Sequence, residues 1–130
     1  YQMYKDSLVF NSNRIRIAEN RVNLCEYSMF ITDFSSFVFD YGYLNRPIIY
    51  FIPDYDEFKS GMNRYRELDL PLDKAFGKLT LTPEDAVNET VRIINQNFKV
   101  DDVFYKRMDE FYIEMGMNRH NLYNYLISNL

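Results

Sequence analysis

Among the 130 residues there is one cysteine, Cys25, and one histidine, His120. A lone cysteine excludes an intramolecular disulfide, and without paired CxxC or HExxH spacing there is no zinc-ligand set. Tryptophan is absent and glycine and proline number four each, so turn signals are few and no Gly/Ser linker divides the chain. No apolar run approaches the roughly 20 residues of a membrane-spanning helix, and the opening YQMYKDSLVF lacks the basic-then-apolar pattern of a secretory signal. Positive charge is also short. With 15 Lys and Arg against 19 Asp and Glu, the net charge of −4 excludes a protein that binds nucleic acid chiefly by charge, while a local anion site remains compatible. These absences lead us to expect one domain over 1–130, in a cytoplasmic setting, with no metal or cofactor.

What is present is aromatic. Twelve Tyr and eleven Phe within a 47% hydrophobic chain predict a ring-rich core, with base or sugar stacking as the alternative use. Ile15 and Ile17 alternate with arginines and suggest a strand within 8–17, followed by a short helix over 20–28 that buries Cys25. The run Met29 to Thr32 stops at Asp33, as a strand covered on both faces would. Phe37, Val38, Tyr41 and Leu44 recur at helical spacing behind Ser35 or Ser36, and Ile48 to Ile52 is a second buried strand. Such a β-α-β unit implies parallel strands. A helical turn over 54–61, a loop over 68–78 and a short strand over 79–81 follow. Thr82-Pro83-Glu84-Asp85 is a helix start, with a capping Thr, Pro in the first turn and acids at the positive end; that helix should reach about Asn97. Asp101 or Asp102 opens another to about Met115, whose Phe and Tyr form a packing face, and Asn118 opens a last one. The fold class is α/β: a three-layer, Rossmann-like partial domain (1–82) with a short parallel sheet and a helical C-terminal tail (83–130).

The junction ITDFSS joins a strand's carboxyl end to a helix start bearing two hydroxyls. Ligands of open α/β sheets bind at such ends, where helix-start N–H groups attract anions. Ser35 and Ser36 can donate to phosphate oxygens, with the amides of Ser36 and Phe37 supplying further donors; the plainer alternative is that one serine caps the helix. Asp40, four residues after Ser36, can accept ribose hydroxyls from the same face, or simply be a solvated acid. Asp33 suits orienting the loop through its backbone.

The run ITDFSSFVFDYGYLNRPIIYF resembles the carboxyl-terminal nucleotide-binding half of the CDP-glycerol glycerophosphotransferases, the teichoic-acid polymerase family, whose pattern is a strand, ITDYSS, a helix with FDY, and a [KR]P-[IV]-[IV] strand. DYDEF and ELDLP extend the likeness to about Pro71. The resemblance implies the C-terminal lobe of a two-lobed GT-B architecture, in which Ser35 and Ser36 contact the pyrophosphate and Asp40 the ribose or its surroundings. It implies CDP-glycerol or a related CDP-polyol as donor, a polyol-phosphate acceptor and an N-terminal lobe as partners, and a parent enzyme at the cytoplasmic face of a membrane. The family's histidines lie in the amino lobe and just before this stretch, so the resemblance places the catalytic groups upstream of Tyr1. This chain is then expected to be a lobe that holds the donor and is inactive alone. A GT-B glycosyltransferase lobe and a non-catalytic interaction module are the alternatives.

The family's Arg-Gly pair is Ser60-Gly61 here, which makes nearby Arg64, with Arg66, the candidate phosphate cation. The LPGP that follows reads LPLD, and the late acidic-Gly pair reads Met115-Gly116. His120, the only candidate base within the chain, is expected to be non-catalytic, far from the serines. The acceptor triplet Asn88-Glu89-Thr90 falls within a helix and is discounted for glycosylation.

Overall fold

The structure, a computed structural model, describes residues 12–18, 22–61, 70–112 and 117–129. Three strands, β1 (Phe30–Thr32), β2 (Ile48–Phe51) and β3 (Lys78–Thr80), form a sheet in the order β1-β2-β3. Both pairings are parallel, with Phe30 opposite Ile48 and Phe51 opposite Thr80. The helices are α1 (Phe37–Tyr43), α2 (Tyr55–Lys59), α3 (Pro83–Asn95), α4 (Asp102–Phe111) and α5 (Asn118–Ser128). The α/β class and the parallel β1-α1-β2 unit are as the sequence predicts.

The central strand explains the layering. Ile48, Tyr50 and Ile52 share one pleat face and cluster with Val38 and Tyr41 of α1, Phe76, and Met108 of α4. Ile49, fully buried, points the other way, toward the side on which α3 buries Ala86, Glu89 and Ile93. Helices therefore cover both faces, and the core rests on β2. Rings close it: Phe30 stacks on Tyr41 with centroids 4.5 Å apart, and Phe76 meets Phe39 and Phe111 edge-on. Phe104 and Met108 on α4, and Tyr112 just past its end, recur every four residues and face this core, as the helical spacing of the tail predicts, whereas Tyr105 points outward.

Helix ends follow local chemistry. Leaving α1, the Asn45 amide donates to the Gly42 carbonyl and the Arg46 amide to Tyr41, with Asn45 left-handed at φ 52. That double bond satisfies the last carbonyls and turns the chain into Pro47 and β2. At α3, Thr82 Oγ1 accepts from the Asp85 amide at 3.1 Å, with Pro83 in the first turn.

Several expectations need correction. Residues 12–18 hold no strand: Ser12 Oγ accepts the Arg14 amide and turns the chain, and Ile15 is exposed; residues 8–11 lie outside the described residues. Of the helix expected over 20–28, residues 20–21 lie outside the described residues, and 22–28 hold one 3-10 turn, Leu24–Glu26, because the Asn23 side chain accepts the Cys25 amide and Tyr27 returns to extended backbone. Cys25 is consequently exposed, not buried. Among the described residues β1 is an edge strand with Ile31 exposed, rather than a strand covered on both faces.

Other expectations fall on residues that the structure does not describe. Residues 62–69, 113–116 and the first eleven are outside the described residues, and with them Arg64, Arg66 and Met115-Gly116. Tyr1 is among those first eleven. The catalytic groups expected upstream of Tyr1 likewise fall outside the described residues.

Candidate functional site

All three strands being parallel, their carboxyl ends meet on one edge of the sheet, where the loops after Thr32 and Phe51 lie side by side. The first loop, Asp33–Ser36, is pinned by an aromatic pair. Phe34 stacks on the buried Phe58 of α2 with centroids 4.2 Å apart and a 22° tilt. Such a pair is worth roughly 0.5–1.5 kcal/mol beyond its burial, enough to fix where the next two residues point.

The two serines have different duties. Ser35 Oγ accepts the Phe37 amide at 3.3 Å, so one of the amides expected to meet an anion is already engaged, while the Ser35 hydroxyl keeps its own hydrogen to donate. Ser36 occupies the cap position but has helical backbone, φ −64 and ψ −13, and its hydroxyl makes no capping hydrogen bond. The capping account of the tandem serines therefore holds for Ser35, whose hydroxyl takes the amide two residues on, and not for the Ser36 hydroxyl. At seven residues α1 is only two turns long, so its peptide dipoles contribute little field and any anion there depends on side chains and loop amides.

The site residues divide between two hollows. Ser35 and Ser36, with Asp33, line a pocket of about 130 Å³ whose far wall is Tyr50, Leu70 and Leu72. Phe37 and Asp40 line a separate groove of about 930 Å³ beside α1, together with Arg16, Tyr27, Tyr41 and Tyr43. Helical spacing places Asp40 on the face of Ser36; the structure puts the two on adjoining hollows, with the first turn of α1 between them. Asp33 also lines a shallow hollow between the ends of β1 and β2, shared with Asp54.

Tyr50 is a residue that the sequence reading does not single out. It is 5% exposed, and its hydroxyl is shielded from solvent, with the Phe76 main chain beside it. Burial pushes its pKa up to about 12, the Phe76 main chain offsetting part of the rise, so the phenol stays protonated at neutral pH. A tyrosine interrupting the apolar run IIYFI is the signal that could have found it, since a buried phenol needs a partner.

The remaining candidates lie elsewhere. His120, on α5, sits 3.0 Å from Asn124 through Nε2 and lines neither hollow. Ser60 donates its hydroxyl to the Glu57 carbonyl at 2.6 Å and Gly61 leaves the helix at φ 81, so this pair terminates α2. Glu89, at the centre of the glycosylation-like triplet, is buried and paired with Lys78 and Arg92, while Thr90 bonds its own helix at Ala86. Among the described residues no three His, Cys, Asp or Glu side chains gather as a metal site, and no helix is long and apolar enough to cross a membrane.

No curated protein matches the chain, and no solved structure does. A family model described as CDP-glycerol:poly(glycerophosphate) glycerophosphotransferase matches residues 11–128, which takes in the strand, the serine loop, α1 and the helices beyond. A chain matched over nearly its whole length, with the serine loop at the carboxyl edge of a parallel sheet, belongs to that family of glycerophosphotransferases.

Proposed function

We propose that this chain holds the donor of a glycerophosphotransferase reaction, a CDP-glycerol or closely related CDP-polyol, with the diphosphate at Ser35 and Ser36. The carrying observation is the position of Ser36: exposed, free of capping duty, and at the junction of a groove of nucleoside size with a much smaller pocket. The nucleoside lies in the groove, where Asp40 accepts from ribose hydroxyls and the rings of Phe37, Tyr41 and Tyr43 offer apolar surface. In the reaction an acceptor hydroxyl attacks the phosphoryl group that bears glycerol, the bond to the CMP oxygen breaks, and CMP leaves with the electron pair. This lobe positions the donor; the proton of the attacking hydroxyl is taken by a base on the amino-terminal lobe of the GT-B arrangement that the family resemblance implies, in sequence before Tyr1.

Calorimetry with CDP on the unaltered chain and on Ser36→Gly tests the reading. The Ser36 hydroxyl makes no capping hydrogen bond, so its loss should leave the chain folded, while CDP binding weakens by about 1–3 kcal/mol, the worth of a hydrogen bond to a charged group. Unchanged affinity in a folded variant would remove Ser36 from the donor site. UDP binding as tightly as CDP would instead favour a nucleotide-sugar glycosyltransferase lobe.

A further inference from the structure

Phe58 is a buried ring that the core does not use. It is 5% exposed, yet among the described residues neither it nor Phe34 belongs to the cluster that packs around β2 and α1. Its ring lies nearly flat against Phe34, with centroids 4.2 Å apart. Phe34 stays 37% exposed and lines the small pocket with Ser35 and Ser36, whereas Phe58 lines neither hollow.

Two kinds of contact hold the serine loop, and they act differently. The hydrogen bonds of Ser35 and Ser36 are local: Ser35 takes the Phe37 amide on its hydroxyl and the Val38 amide on its carbonyl, and the Ser36 carbonyl takes the Phe39 amide. They make the loop and the first turn of α1 one piece. The ring stack reaches across to α2, which is itself tied to the end of β2. There the Tyr55 amide donates to the carbonyl of the fully buried Ile52 at 3.3 Å, and the Phe58 amide to Asp54 at 3.0 Å. Phe58 therefore fixes the loop against the sheet edge. A diphosphate held by hydroxyls and loop amides needs those donors in place beforehand, and a loop that is competent only part of the time loses apparent affinity by that fraction.

We infer that Phe58 is a positioning residue for the diphosphate: through its stack on Phe34 it holds Ser35 and Ser36 where they receive the phosphates, without touching the donor. The inference rests on the donor reading above and deepens it. Neither ring lines the groove that takes the nucleoside, so the effect is confined to the phosphates.

Calorimetry with CDP and with cytidine tests this on the unaltered chain, on Phe34→Leu, Phe58→Leu and the double variant, and on Phe34→Tyr, with each melting temperature recorded. Leucine keeps apolar bulk and removes the stack. A stack of this kind favours the held arrangement by a factor of about 3–10, so each single leucine variant should weaken CDP by about 3- to 10-fold and leave cytidine unchanged. The double variant should lose no more than either single, since the same interaction is missing in all three. Phe34→Tyr, which keeps the ring at a part-exposed position, should bind CDP as the unaltered chain does. Should the buried Phe58→Leu fail to fold, the two Phe34 variants decide. CDP affinity unchanged in Phe34→Leu, CDP and cytidine weakened alike, losses that multiply in the double variant, or a Phe34→Tyr as weak as Phe34→Leu would each overturn the inference and leave the donor reading intact. Failure of CDP to bind the unaltered chain would overturn the donor reading itself, and the inference with it.

Discussion

Tyr112, at the end of α4, donates its hydroxyl to the Phe39 carbonyl of α1 at 2.6 Å, joining residues 73 apart in sequence. The same hydroxyl lies where a side chain on Gly42 would go: a Cβ there would sit 2.8 Å from it and 2.8 Å from the Phe76 ring. The helical tail is thus locked onto the helix that carries the serine loop, and residue 42 is glycine because two side chains use its surface. Burial pushes the Tyr112 pKa up to about 12, so the donor stays protonated throughout the physiological range.

Glycine within an exposed helix ordinarily costs about 1 kcal/mol relative to alanine, so Gly42→Ala would stabilise an isolated α1. Here the Phe76 ring is 1% exposed and cannot retreat, and we expect Gly42→Ala to lower stability by about 1–3 kcal/mol, as overpacking does. Tyr112→Phe should cost about 1 kcal/mol through the lost bond. In the double variant the two costs should add to less than their sum, because the second change relieves part of the clash created by the first. Urea unfolding of the three variants checks this.

Glu89 is buried beneath Lys78 and Arg92, and the Arg92 guanidinium, which also reaches Asp101 at 2.6 Å, holds α3 to the start of α4. The hydrogen bond from Arg92 holds the Glu89 carboxyl below its usual value, outweighing the opposing effect of burial. A depressed carboxylate contributes stability that is present above its unfolded pKa, about 4.3, and is lost as pH falls through the folded value. Stability should therefore fall with acidification below about pH 4.3. Glu89→Gln should lower it by about 1–3 kcal/mol at pH 7 and flatten the acid limb, measured by thermal melts from pH 3 to pH 7. An acid limb of unchanged slope in the variant would show that other carboxylates carry it.

His120 on α5 lines neither hollow, and its ring is paired with Asn124 on the exposed surface of that helix. We expect His120→Ala to leave CDP affinity unchanged and to move the melting temperature by no more than a surface substitution does, equivalent to about 0.5 kcal/mol. The chain by itself should release no CMP from CDP-glycerol in the presence of a polyol acceptor, since the proposed base precedes Tyr1. Turnover by this chain that depends on His120 would show the base to be misplaced.

Much of this was legible before the structure, and the parts that were not share a cause. The run IIYFI fixed β2 because four apolar residues and a tyrosine bounded by Pro47 and Pro53 have few other uses, and Thr82-Pro83 fixed α3 through its cap. An apolar run does not say how many faces are covered, so MFIT reads as a central strand although Ile31 is exposed at an edge. Helical spacing puts Asp40 beneath Ser36, but which hollow each one lines is decided by Phe34 stacking on Phe58 and by Leu70 and Leu72 closing one side. Those contacts span more than twenty residues of sequence and leave no local periodicity. Tyr50 hid for the same reason, its hydroxyl being significant only once its surroundings are known.

The central claim is that the loop from Asp33 to Phe37 is where the donor's diphosphate rests. Amide chemical shifts of the labelled chain, followed during titration with CDP, test it most directly. The account predicts saturable shifts concentrated at residues 33–37, extending to Asp40 and Tyr41 along the groove, with cytidine moving the groove residues alone. Shifts confined to the tail helices, or none at Ser35 and Ser36 at concentrations that saturate other amides, would contradict it.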